Sequence, residues 1–203
     1  DDIAQRFNRV GHESLSWMPA YRYIMKHEQE QAGSDVPQLR WYVEPFGYAE
    51  VSRAMNGGRK KRGMDMIKIL ASQGFTAVQG LGGYVFLKTE QEELLHRTFI
   101  YAPAVARAAG AKADTKYDLA ARMLDFPNSD NLHPQDFVPV DVANYLSFNW
   151  KLQNAFKYCG TLVDAIAGEK GVFDEVLLSL KNDPNGPQID IRKGLVAELK
   201  DRA

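Results

Sequence analysis

The sequence is short of most of the features that mark out a function. It has one cysteine, Cys159, so no intrachain disulfide can form and a disulfide-stapled scaffold is excluded. One thiol leaves the compartment open. Flanked by Phe156, Lys157, Tyr158 and Gly160, with no histidine beside it, Cys159 reads as a buried structural residue rather than a reactive one. An excess of charge is also missing, since 25 basic and 26 acidic side chains leave a net charge of −1. That argues against nucleic acid as a partner and against bulk attraction to an anionic membrane, while a local basic patch stays open. No apolar run approaches the ~20 residues that span a bilayer, and no signal peptide is visible. The chain opens on Asp1-Asp2 without an initiating Met. The expectation is a piece of a longer protein, with membrane contact made only through a segment outside this chain.

What is present suffices for a folded domain. The 203 residues are 45% hydrophobic and 25% charged, enough for one large core or two small ones. Residues 3–31 carry apolar side chains at intervals of three and four, from Leu15 and Trp17 to Ile24 and Met25. Pro19 interrupts the pattern, so two helices are expected, at 3–16 and 19–31, with Ser16 capping the second. Residues 31–37 read as a stop and turn. Leu39 to Glu44 is rich in aromatic and β-branched residues and reads as a strand ended by Pro45, with a short helix after it. Residues 56–63 form a loop with a basic tip, and 64–73 a helix that Gly74 terminates.

The next stretch reads as a hairpin. Phe75 to Val78 and Tyr84 to Leu87 are its strands, and Gly80-Leu-Gly-Gly83 is the turn between them. His96 to Tyr101 is a further strand closed by Pro103. Residues 104–113 are alanine-rich, helix or loop, and 118–126 suggests another strand. Residues 127–139 have the composition of a linker. A strand at 142–148 follows, then helices at 152–167 and 173–180, a turn at 182–187 and a helix at 191–199. The expected organisation is an N-terminal helical segment (1–37), a first α+β unit (38–126), the linker-like stretch (127–139) and a second strand–helix unit (140–203).

The fold class is thus α+β, an antiparallel sheet packed with helices. The segments starting at Arg40 and Asn144 align at an offset of 104 residues, with aromatics leading into a helix in both. This suggests two similar strand–helix units and a possible internal duplication. The second unit lacks a counterpart to the 75–101 strands. Either one sheet is shared or the second unit is truncated.

Candidate catalytic groups fail on spacing or context. His12-Glu13 and His27-Glu28 lack the second histidine four residues on that a zinc-binding H-E-x-x-H needs. His96 has no nucleophile motif to activate. Glu44, Asp125 and Asp141 fall near expected strand ends, but their separation is not readable from sequence. Gly80-x-Gly-Gly83 precedes no helix and so makes no phosphate cradle. The residues around Asp183 lack the ligand ladder of a calcium loop. No catalytic residue, metal site or cofactor is assigned.

Two features are left as binding candidates. Trp41, Tyr48 and Trp150, with Trp17, Tyr42, Phe46 and Phe148, concentrate at the two strand–helix starts. They are either core or a surface for protein, peptide or glycan. Arg59, Lys60, Lys61 and Arg62 form a basic tip that suits an anionic polymer or headgroup.

Several segments carry a resemblance. Val138-Pro-Val-Asp-Val142, Tyr145-Leu-Ser-Phe-Asn-Trp150, Leu162-Val-Asp-Ala-Ile166 and Asp183-Pro-Asn-Gly-Pro-Gln-Ile-Asp-Ile-Arg192 resemble a family of uncharacterised bacterial exported proteins. Gln79-Gly-Leu-Gly-Gly83, His96-Arg-Thr98 and Tyr101-Ala-Pro103 resemble the same family, and together these cover about half the chain. The resemblance implies an export signal or anchor before Asp1 and further strands after Ala203, although Lys200 stands where the pattern leads one to expect a glycine. It brings no catalytic residues with it. The leading expectation is a non-enzymatic binding module of an exported, periplasmic or envelope protein, with the cytoplasm as the alternative location. The competing expectations are a hydrolase or metal-dependent enzyme built on His96 or His12, and an anion-binding module using residues 59–62.

Overall fold

A computed structural model describes residues 14–58, 63–90, 93–104, 116–128 and 132–199. The chain forms two compact units, one from residues 1–59 and 76–105, the other from 60–75 and 106–203. The architecture is α+β, with a three-stranded antiparallel sheet.

In the first unit a turn of 3-10 helix, Leu15–Trp17, leads into α1, Pro19–Ala32. Proline opens α1 because the first turn of a helix has no use for its missing N–H. The cap position falls on Met18 with no side-chain hydrogen bond, so Ser16 does not cap α1 as expected. Its hydroxyl lies 2.6 Å from that of Ser14 instead. Gly33, at φ 64°, ends the helix. Strand β1 is Leu39–Val43, and α2, Pro45–Met55, follows at once. The Glu44 carboxylate caps α2, accepting from the amides of Phe46 at 3.0 Å and Gly47 at 2.5 Å.

The central strand departs from the sequence reading. Phe75–Ala77 is a 3-10 turn, and Gly80–Phe86 is one continuous strand, β2, paired on both edges. Leu39 faces Val85 and Val43 faces Leu81 on one side. On the other, Gly80 faces Tyr101 and Phe86 faces Leu95 of β3, Leu95–Tyr101. The glycines make no turn; they let α1 come close. A Cβ at Gly80 would sit 3.0 Å from the Ala20 Cβ, and one at Gly82 would sit 2.6 Å from Ile24 Cγ2. Ala20, Ile24 and Glu28, spaced four apart on α1, are buried on this face with Tyr84 and Phe86. Edge-on ring contacts of Tyr21 with Tyr42 and tilted ones of Tyr23 with Tyr101 extend the layer sideways.

The second unit is helical and irregular. Helix α3, Met66–Ser72, is capped by Asp65 and stopped before Gly74, which has φ 87°. The expected strand at 118–126 is a 3-10 helix, Leu119–Leu124, packed on α4, Leu152–Ala167, through buried Ala120, Ala121 and Ala155. A lone extended segment would leave its amides without a ladder, whereas a 3-10 turn satisfies them locally. The same reason undoes the expected strand at 142–148, where no ladder forms and Val142 and Leu146 are exposed. Among the described residues all three strands belong to the first unit, so no sheet is shared and the strand expected at 142–148 is absent.

Helix α4 ends at Gly168 in the left-handed region, and α5, Val172–Asn182, folds back. The Asp164 carboxylate ties the two, accepting from the amides of Gly171 at 2.8 Å and Phe173 at 2.9 Å. Gly160 makes room for the Phe173 ring, since a Cβ there would lie 2.7 Å from Phe173 Cδ1. The expected helix at 191–199 is a π turn, Ile191–Leu195, followed by a 3-10 turn, Val196–Glu198. Cys159 is half-buried rather than buried. Among the described residues no helix is long and apolar enough to cross a membrane.

Candidate functional site

Strand alternation sends successive side chains of the sheet to opposite faces. One face meets α1. The other presents Leu39, Trp41 and Val43 from β1, Leu81, Gly83 and Val85 from β2, and His96, Thr98 and Ile100 from β3. None of these nine is an Asp, Glu, Lys or Arg. Leu39 is 49% exposed and Ile100 60%, with His96 and Thr98 exposed as well. Gly83 is the key to this face. It pairs with Trp41 on one side and Thr98 on the other, and a Cβ on it would come within 3.0 Å of Trp41 Nε1. The bare backbone lets the indole lie across the central strand. Its N–H donates to His96 Nε2 on the far strand at 3.3 Å, and the Thr98 hydroxyl lies 3.4 Å from the same nitrogen. The ring centroids of Trp41 and His96 are 6.0 Å apart.

The predicted residues separate. Trp41 is half-buried at the centre of this face. Tyr48 lies on α2, 65% exposed, in an apolar stripe with Val51 and Met55. Trp150 belongs to the second unit and is internal packing: its indole N–H donates to the Met123 carbonyl at 2.6 Å and its ring stacks on Phe126 at 5.5 Å. Arg59, Lys60, Lys61 and Arg62 lie outside the described residues, as does His12.

The second unit holds a cleft of about 410 Å³ that the sequence did not point to. Tyr117, Arg122, Leu124, Asp125 and Phe126 line it from the 3-10 segment and its flanks, and Asn154 and Tyr158 from one face of α4, with Lys116 at the rim. Arg122 is braced, its Nε–H donating to the Tyr117 carbonyl at 3.3 Å and Nη1–H to the Tyr158 hydroxyl at 2.7 Å. Its guanidinium carbon lies 5.0 Å from the Tyr158 ring centre, with Lys157 Nζ 5.7 Å from it. Asp125 is paired with Lys151 at 2.7 Å. Burial, and secondarily the negative charge of Asp125, push the Tyr117 hydroxyl above its usual pKa. In the sequence the one pattern that bears on the cleft is the i, i+4 spacing of Asn154 and Tyr158, which by itself marks only a shared helix face.

Three of the other histidine and carboxylate candidates are occupied. His27 pairs with Glu30 at 3.1 Å, Glu44 caps α2, and Asp125 holds Lys151. Among the described residues no three of His, Cys, Asp and Glu gather as a cation site. Comparison of the chain with family models, curated proteins and solved structures found no match. The functional reading therefore rests on the chain's own surfaces. The sheet face can bury apolar area and offer two polar atoms, and the cleft can hold a small molecule.

Proposed function

We propose that this chain is a non-catalytic protein-interaction module that docks its partner on the face of the sheet opposite α1. The observation that carries the reading is the charge-free make-up of that face, centred on Trp41. Depletion of charge around an aromatic anchor is the compositional mark of an interface core. An antiparallel sheet packed on one face more often turns polar side chains to water on the other, and the exposed Leu39 and Ile100 do the opposite. The partner is a protein with an apolar, uncharged patch; a polyanion or a basic peptide would find no ionic contact here. The resemblance of the quoted segments to exported proteins supports a setting in the cell envelope.

Site-specific photo-crosslinking tests the proposal. A photoreactive amino acid at Thr98 should give a discrete adduct in the source cells, one at Lys26 on α1 should not, and Trp41→Asp should abolish the adduct while the unit stays folded. Equal labelling from Thr98 and Lys26, or an adduct indifferent to Trp41→Asp, sinks it.

A further inference from the structure

Arg122 is a half-buried cation in the cleft of the second unit, and no described carboxylate pairs with it. A desolvated charge with no counter-charge is costly, and here the uncompensated charge is not alone. Lys116 at the rim and Lys157 beside Tyr158 also have no described carboxylate partner. The one acid among the described lining residues, Asp125, is already paired with Lys151. A chain of net charge −1 thus sets two cations, Arg122 and Lys116, in the lining of one concave site and a third, Lys157, beside its Tyr158, none with a carboxylate partner among the described residues.

The donor geometry is specific. Of the five N–H groups of a guanidinium, two are spent on the Tyr117 carbonyl and the Tyr158 hydroxyl. Those two bonds fix the fork and leave Nη2 and the second Nη1–H to donate. A planar fork held this way matches the paired oxygens of a carboxylate or phosphate. The Tyr158 hydroxyl accepts from Arg122, so its own O–H is free to donate to the same anion. Asn154, one turn before Tyr158 on α4, supplies an amide. Leu124 and Phe126 make an apolar wall, stiffened from behind by the stack of Phe126 on Trp150.

We propose that this cleft binds a small organic oxyanion, with the charged head on Arg122 and Tyr158 and an apolar body against Leu124 and Phe126. The size suits it, since small-molecule pockets run from roughly 300 to 1,000 Å³. The bracing bonds alone would give Arg122 a purely structural role, so the test must separate bracing from binding.

Amide chemical shifts of the full chain are followed while benzoate, phenyl phosphate, benzyl alcohol and inorganic phosphate are titrated in turn. Benzoate or phenyl phosphate should shift the Asn154, Lys157 and Tyr158 amides saturably, and whichever binds tighter identifies the head group. Added salt should weaken the binding. Lys116→Gln, an exposed change that leaves the bracing intact, should weaken it several-fold, and Arg122→Gln about tenfold or more. Tyr158→Phe keeps the ring under the guanidinium and should lose affinity for the anion without losing the fold. Benzyl alcohol binding as well as benzoate would overturn the charged head, and inorganic phosphate binding as well as phenyl phosphate would overturn the apolar body. Unchanged affinity in Lys116→Gln and Tyr158→Phe, or no saturable shift with any probe at millimolar concentration, would overturn the site itself.

Discussion

The Glu28 carboxylate lies buried beneath α1, 3.7 Å from the Arg40 Nε, with neither of its oxygens hydrogen-bonded. Its residue is 1% exposed while Arg40 is half exposed, so the pair combines a full desolvation penalty with a partner largely in water. Burial pushes the Glu28 pKa up, and Arg40 offsets that only in part.

Replacing Glu28 should therefore stabilise the first unit. Below a pH of about 4.3 the carboxyl is protonated in both folded and unfolded chains, and the penalty is absent. As pH rises through the raised folded value, the folded state must ionise a buried group, and stability falls. Glu28→Met, which keeps the length and drops the charge, should gain about 1–3 kcal/mol at neutral pH. Urea titrations at several pH values check this: the gap between variant and parent should widen from acid to neutral. A constant or reversed gap would show that Glu28 is compensated.

Asp164 has the opposite sign. Its hydrogen bonds from Gly171 and Phe173 hold the carboxyl below its ordinary pKa. That contribution is complete above the unfolded value of about 3.9 and is lost as pH falls through the lowered folded one. Asp164→Ala should lower the melting temperature at neutral pH, and its melting temperature should change less on acidification than the parent's. Parallel curves for the two would contradict the assignment.

Close approach of α1 to β2 predicts a coupled pair. Gly82→Ala places a methyl group against Ile24 and should cost about 1–3 kcal/mol. Ile24→Ala costs about 2–5 kcal/mol through its cavity. The double variant should lose less than the two losses added together, because the new methyl occupies part of the space vacated. Full additivity in chemical denaturation would mean that the helix and strand are not in contact there.

On the sheet face opposite α1, the indole N–H of Trp41 should report on His96. His96→Ala removes its acceptor, so the Trp41 indole resonance should move and its exchange with deuterated solvent should quicken. The stability change should stay under about 1 kcal/mol, as expected for an exposed bond. An unmoved resonance would place the indole elsewhere.

Sequence patterns captured the elements whose causes are local. Helix α4 runs from Leu152 to Ala167 as its apolar spacing predicts, and β1 and α2 meet at Pro45 because proline ends one and opens the other. The errors arose where the cause is distant. Gly80, Gly82 and Gly83 read as a turn because clustered glycine usually punctuates a chain. Their actual role is clearance for Ala20, Ile24 and Trp41, residues roughly forty to sixty positions away. Tyr145 to Phe148 had strand composition but forms no ladder among the described residues, and Phe148 instead joins Phe126 and Trp150. Trp41 was legible as a candidate because aromatics stand out in any list. Arg122 and Tyr158 were not, because they meet only after residues 36 apart fold together.

The two compact units are interleaved along the chain. The first needs residues up to Tyr101 before β3 can close its sheet, yet residues 60–75, made earlier, belong to the second. Synthesis from the N-terminus therefore delivers α3 before anything it packs on, and holds it waiting while β2 and β3 emerge. Neither unit is a single stretch of chain, so no single cut separates them. A gene fragment ending near residue 105 would carry α3 as an orphan apolar helix, and one starting near residue 106 would lack it altogether.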